Sequence, residues 1–253
     1  MTISRKDLEF FLDNLLVPSD FVDYGPNGLQ VEGESSIKRI AFAVSATRDS
    51  ILKTLENKAQ ALVVHHGLFW KFHGARPLKG AFGKRVLPLA QHNINLFAYH
   101  LPLDAHMEVG NAGQIARLIG LQKIAAFGSY EGKPLGVQGR CSFIVKDLRA
   151  KLENILRHPV ILSTPDDKAR IKSLGIITGG ANSEWTFALQ DNLDAYLTGE
   201  ISEHDWHEAK EAGIHFFAGG HHATEQFGIQ ALMKKVEEKF SVDCFYIDSE
   251  NPA

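Results

Sequence analysis

The chain has 253 residues, 44% hydrophobic and 23% charged, enough for one large domain or two modest ones and ordinary for a globular protein. A formal net charge of -3, with no Lys/Arg block interleaved with aromatics, gives nucleic-acid binding no electrostatic basis. Cys141 and Cys244 make no disulfide framework, Asp7, Glu9 and Asp13 break any leader-like apolar segment, and no apolar run nears the roughly 20 residues of a membrane helix, so a reducing cytoplasmic setting off the membrane is expected.

Leu8, Phe11, Leu12 and Leu15 fall on one face of an N-terminal helix of about sixteen residues. A Gly/Pro/Asn-rich turn, "DYGPNGLQVEG", follows. Short apolar runs then alternate with helical stretches. "RIAFAVS", "ALVVHH", "INLFAYH", "SFIV", "PVILS", "SLGIITG", "AYLTG", "IHFFAGG" and "DCFYID" read as strands. "TRDSILKTLENK", "GKRVLPLAQHN", "KDLRAKLENILR", "SEHDWHEAKEAG" and "TEQFGIQALMKKVEEKF" read as helices. This alternation predicts an α/β fold with mostly parallel sheets covered by helices.

An internal repeat is visible. "IAFAVSATRDSILKTLENKAQALVVHHG" and "LGIITGGANSEWTFALQDNLDAYLTGEI" share one ungapped order: strand, small-residue turn, helix, strand. A third strand follows each, "NLFAYH" and "HFFAGGH", and each then sets a His four residues before a carboxylate: His100 with Asp104, His221 with Glu225. Two similar α/β units are expected. We place them at residues 1–128, carrying His65, His66 and Asp104, and at 129–253, carrying His221 and Glu225.

Ligands of open α/β sheets bind beyond the carboxyl ends of the strands. Three strand ends here, "VVHH", "AYHLPLD" and "AGGHHATE", carry His or acidic residues. Singly, each has an ordinary explanation: a hydrogen-bonded strand-end His, Asp104 as a helix N-cap, Thr224 as a cap. Together they point to a metal site of imidazole and carboxylate, a donor set open to Zn, Mn, Fe, Co or Ni. His65, His66, Asp104, His221 and Glu225 exceed the three protein ligands of one open catalytic ion. They suit two divalent ions about 3.5–4 Å apart with a bridging carboxylate. His100 is a sixth ligand, an outer partner or the group that moves a proton. His106 reads as an exposed loop residue, His204 and His207 as a solvated helix face, and His222 as turned away from His221. His73 lies in a loop, "KFHGARPLKG", able to touch a substrate. "TGG" at Thr178–Gly180 could approach a phosphate but lacks a P-loop lysine.

"VVHHGLFW", "AYHLPLD", "LTGEISEHD" and "GGHHATEQFG", in this order, with the early "GPNGLQVEG" and the late "FYIDSENP", resemble the NIF-three-like family, whose bacterial members are labelled GTP cyclohydrolase 1 type 2 homologues. The resemblance covers nearly the whole chain. It implies a dinuclear metal centre between two similar α/β units, carried by His65, His66, Asp104, His221 and Glu225. It also implies a ring-like homohexamer, in a compact form without the inserted domain of some members. The expected function is a metal-dependent hydrolase acting on a small molecule, a nucleotide such as GTP or a phosphoester, with His100 moving a proton. The rival is a non-enzymatic metal-binding, metal-delivery or scaffold protein.

Overall fold

The computed structural model describes residues 1–253. Strand β1 (Ile3–Ser4) leads into α1 (Arg5–Leu16), where the Ser4 side chain caps the helix by accepting from the Asp7 N–H. β2 (Gly28–Val31), β3 (Ser36–Ile37), β4 (Arg39–Ser45), α2 (Arg48–Glu56), β5 (Ala61–His66), α3 (Gly80–Gln91), β6 (Asn95–Ala98) and the single turn α4 (Leu101–Asp104) follow. Then come α5 (Asn111–Ile119), β7 (Gln122–Phe127), β8 (Gly136–Ile144), α6 (Val145–Leu156), β9 (Ile161–Ser163) and β10 (Arg170–Ile176). The chain ends with α7 (Trp185–Gln190), β11 (Ala195–Thr198), α8 (Glu203–Glu211), β12 (His215–Ala218), α9 (His221–Phe240) and β13 (Asp243–Tyr246).

The chain divides into two compact units: Met1–Leu103 with Ile229–Ser249, and Asp104–Gly228 with Glu250–Ala253. This partition differs from the expected cut at 128/129. β13 pairs in parallel with β4, which returns the C-terminal segment to the first sheet, and Asp104 is grouped with the second unit.

In the first unit the sheet order is β13-β4-β5-β6-β2, parallel except for the antiparallel edge strand β2. In the second it is β7-β8-β10-β11-β12-β9. There a parallel core, β10-β11-β12, is flanked by antiparallel strands on both sides. The repeat seen in the sequence thus corresponds to β4-α2-β5-β6 in one unit and β10-α7-β11-β12 in the other.

Alternation along the strands builds the cores. On β11, Ala195 and Leu197 join the cluster around Leu148, Leu152 and Phe217, while Tyr196 joins Trp185 and Phe216 in a second cluster. A strand buried on both faces reads as a continuous apolar run. On β5, Leu62 and Val64 pack with Ile51, Leu89 and Leu96. Four strands were not revealed by alternation and branching: β1 and β3 are two residues each, and β2 and β7 have polar or exposed residues, β7 carrying Gln122 and Lys123 at its start with only Phe127 buried.

Candidate metal centre

In the first unit, β5 ends on His65 and His66, and β6 runs two residues on to His100. Successive strand residues point to opposite faces, which predicts that the two adjacent histidines diverge. They do not. At the end of the strand the two rings come together, with centroids 4.5 Å apart, and His100 lies 5.0 Å from His65 and 5.6 Å from His66. Each of the three offers a ring nitrogen within 4.8 Å of the other two.

The rings are held from behind through Nδ1. His65 Nδ1–H donates to the Tyr99 carbonyl at 3.1 Å; a carbonyl only accepts, so the proton sits on Nδ1 and Nε2 is the metal-facing nitrogen. His100 Nδ1–H donates to Asp23 Oδ1 at 2.7 Å. Burial pushes the Asp23 carboxyl up, but His100, Asn27 and the Leu101 N–H together bring it below its ordinary value, so it is the ionised acceptor. His66 Nδ1 lies 3.0 Å from Ser45 Oγ, a contact in which either group can donate.

The glycine-rich turn before β2 builds this arrangement. Asp23 and Asn27 hold His100, whose backbone N–H donates to Asn27 Oδ1 at 2.8 Å. Gln30 accepts from the Leu68 N–H at 2.9 Å. A Cβ on Gly25 would stand 2.4 Å from the Phe69 carbonyl oxygen, so the turn approaches the segment after β5 as closely as only glycine permits.

In the second unit, α9 begins at His221, three residues earlier than the pattern predicted. His221 and Glu225 therefore share a helix face one turn apart, with His221 Nε2 3.2 Å from Glu225 Oε2. The other ring nitrogen, Nδ1, meets Glu200 Oε1 at 2.5 Å. Burial lowers the His221 pKa, but the hydrogen bonds and charges of Glu225 and Glu200 outweigh it and raise it to about 9. Asp104, at the end of α4, accepts from Asn111 Nδ2 at 2.8 Å and from Thr178 Oγ1 at 3.3 Å. Asp104 and Glu225 offer carboxylate oxygens within 4.8 Å of one another, and Glu225 is buried.

Gly179, in the "TGG" turn, has φ +70°, and a Cβ there would lie 2.1 Å from Glu225 Oε1 and 3.3 Å from His221 Nε2. The turn contributes room beside the carboxylate. Its Gly179 N–H donates to Thr224 Oγ1 at 3.1 Å, so Thr224 holds this turn in place.

All six residues singled out from the sequence thus fall into two sets, His65, His66 and His100 in one unit and Asp104, His221 and Glu225 in the other. Asp23, Ser45, Asn111 and Glu200 stand behind them and were not singled out. For Glu200 a signal existed: in the ungapped repeat it occupies the place of His66. For Asp23 none did, because nothing local marks an acid in a turn as the partner of a His far along the chain. His204 and His207 are exposed on α8, as expected for a solvated face, and His106 Nδ1 accepts from the Glu108 and Val109 N–H groups at 3.1 Å.

The residues fit a metal. Two of the first unit's three imidazoles have Nδ1 protonated and anchored, and the second unit pairs two carboxylates with a further imidazole, with no Cβ filling the space beside Glu225. Neither cysteine joins these groups.

A sequence model of Duf34/NIF3 (NGG1p interacting factor 3) matches residues 3–252. The chain belongs to the Duf34/NIF3 family. A family relative from Vibrio cholerae serotype O1, named "GTP cyclohydrolase 1 type 2 homolog", is 40% identical over 255 residues, covering 99% of this chain and all of its own. A relative of the same name from Chlamydia muridarum is 39% identical over 97% of this chain and 98% of its own. Among solved structures, the protein ybgI, titled as of unknown function, superposes with a TM-score of 0.91 at 36% identity, covering 99% of this chain and all of that one. A Thermus thermophilus protein gives 0.88 at 30% identity with the same coverage. The NIF3 fold and its paired α/β units account for the repeat, and the family and the His/Glu groups together make this a metal-binding protein.

Proposed function

We propose that the two donor sets serve one pair of divalent ions, and that the protein is a metal-dependent hydrolase acting on a nucleotide or phosphoester. His65, His66, Asp104, His221 and Glu225 are the ligands, with Glu225 shared by both ions. The observation that carries this reading is the anchoring of His65 through Nδ1 beside His66, the arrangement that fixes the tautomer of a metal-facing histidine. When bound, such ions supply Lewis acidity and activate water near neutral pH.

The chain's own residues do the rest. Tyr99 O and Ser45 orient His65 and His66, Glu200 orients His221, and Asn111 and Thr178 orient Asp104. His100, backed by Asp23, takes or gives a proton at Nε2. The relatives' name supports a nucleotide substrate for them, and this chain's place in the family extends that reading to it. The ring-like hexamer is part of the same proposal and rests on the family resemblance.

Elemental analysis of the loaded protein should give two metals per chain; a stable value of one or zero under saturating metal overturns the dinuclear reading. Light scattering should give a mass near six times 28.0 kDa. A screen of nucleotides and phosphoesters should find metal-dependent turnover that His100→Gln abolishes. No turnover by protein holding both ions would assign a metal-holding role instead.

A further inference from the structure

Beside the histidine set, within the first unit, lies a cavity of about 260 Å³ lined by Pro26, Leu68, Phe69, Trp70, Arg76 and Phe82, with Lys71 at its wall. We infer that it is a recognition subsite for a planar aromatic ring carrying a phosphate, with Trp70 and Arg76 as its specificity-determining residues.

Its volume falls just under the ~300 Å³ at which ligand pockets usually begin, so it suits a ring system with one small substituent rather than an extended ligand. Its walls are aromatic and aliphatic, and no carboxylate lines it. Its two charges are both positive. The Arg76 guanidinium rests on the Phe82 ring, 4.1 Å from the centroid, and its Nη1 donates to His73 Nδ1 at 3.0 Å; together these fix its plane and leave the rest of its edge to bind an anion. Lys71 Nζ donates to the Asp23 carbonyl at 2.6 Å, a neutral acceptor that holds the ammonium in place without cancelling its charge.

The wall is built rather than loose. The Lys71 N–H donates to the Tyr24 carbonyl at 2.7 Å, and Gly25 packs against Phe69 too closely for any Cβ. Trp70 is shared by the cavity and the histidines: its ring meets His100 edge-on at 5.1 Å, 88° between planes, and His66 at 6.0 Å. Phe72 already stacks on this indole, 5.7 Å between centroids and 19° between planes, so a ligand ring takes the part of Trp70 that lines the cavity, beside the histidine set, where aromatic stacking gives it affinity regardless of the base. This assignment rests on the hydrolase reading for its purpose but not for its test, since binding requires no turnover.

The test is calorimetric titration of the full-length, metal-free protein with GMP, guanosine and ribose 5-phosphate, which present ring and anion, ring alone and anion alone. Removing metal prevents the phosphate from being captured at the ions. GMP should bind at least about 10-fold more tightly than either fragment, the scale of a lost stacking or charged contact. Trp70→Ala should weaken GMP and guanosine about 10-fold, with Trp70→Phe restoring most of it. Arg76→Ala, at an exposed position, should weaken GMP but leave guanosine unchanged. No GMP binding by the unaltered protein, or GMP binding indifferent to both Trp70→Ala and Arg76→Ala, overturns the subsite. Binding that follows the expected pattern in a protein without turnover on any nucleotide or phosphoester overturns the hydrolase reading alone. Metal-dependent nucleotide turnover with KM unchanged by both variants overturns the subsite alone.

Discussion

β5 and β11 hold the same place in the repeat, yet they end on different chemistry. β5 closes on His65 and His66; β11 is followed at the matching positions by Gly199 and Glu200. The first turn of each repeat differs in the same way: Ser45 stands behind His66, while its counterpart Gly179 leaves room for Glu225. After the third strand the two converge again, each with a His four residues ahead of a carboxylate. One frame therefore carries mostly nitrogen donors in the first unit and mostly oxygen donors in the second. The outer partner of each third-strand imidazole also has a different source. Glu200, behind His221, comes from inside the repeat, whereas Asp23, behind His100, comes from the turn that precedes it.

The comparison breaks most visibly at the carboxylate we propose to be shared. Glu225→Gln keeps size and removes the charge that, on that proposal, offsets two cations. It should lower occupancy of both ions by more than the ~10–100-fold that outer partners cost, while His66→Ala should leave one ion partly held. Metal content measured against a competing chelator, with circular dichroism on both variants, checks this. Full occupancy of both sites in Glu225→Gln would mean that the second unit's carboxylate serves no shared role.

The outer partners give the next effect. Glu200→Gln and Asp23→Asn each retain a hydrogen-bonding side chain but lose the anion that orients an imidazole. Glu200→Gln should weaken metal binding by ~10–100-fold, because it stands behind the proposed ligand His221. Asp23→Asn acts on the proton-moving His100 and should lower turnover while leaving metal content nearly unchanged. Chelator competition and turnover of both variants check the contrast; full metal affinity in Glu200→Gln would mean that Glu200 is a surface contact.

The contrast between inner and outer residues also marks how far the sequence could be read. The parallel cores of both units were legible because β4, β5, β11, β12 and the second half of β10 are buried on both faces and read as apolar runs. The ligand candidates were legible because they cluster at the ends of those runs. β2 and β7 were not, since β2 buries only Gly28 and β7 is mostly exposed, and β1 and β3, at two residues each, are too short to show a pattern. The unit boundary was not, because the pairing of β13 with β4 is a contact between chain ends that no local signal encodes. The early Gly/Pro/Asn segment reads locally as punctuation. Its use, in Asp23, Asn27 and Gln30, exists only once His100 and Leu68 have been brought to it.

Glycine separates backbone from site. Gly179 and Gly213 both have positive φ, +70° and +86°, but a Cβ on Gly179 would strike Glu225, whereas one on Gly213 meets nothing within 4 Å. Alanine at either position should cost about 1–2 kcal/mol of stability, from the left-handed backbone alone. Only Gly179→Ala should also reduce metal content, because Glu225 must move. Equal metal content in the two variants would show that Glu225 tolerates displacement and that the "TGG" turn is conformational only.

The smallest expected effect concerns the first residue of each third strand. β6 begins with Asn95, facing Ala61, and β12 begins with His215, facing Ala195, the counterpart of Ala61. Asn95 is buried and fully committed, accepting from the Gly33 N–H and donating to the Glu34 and Gln60 carbonyls. His215 is buried too, with Nδ1 2.7 Å from Thr164 Oγ1. Burial holds its pKa below the ordinary 6.5, outweighing the opposite pull of Asp194 and Asp166. A histidine whose folded pKa is depressed is protonated first in the unfolded chain. Its contribution to stability is complete above about pH 6.5 and is lost as the pH falls from there toward the folded value. The first unit has no such charge change at this place. His215→Asn copies the first unit's residue into the second and should flatten that part of the pH dependence. Urea midpoints of both proteins at about pH 7.5 and about pH 5.5 check it: the drop on acidification should be smaller for His215→Asn. An equal drop would mean that the proton reaches His215 without cost, and that the two third strands differ in sequence at this position but not in how they respond to acid.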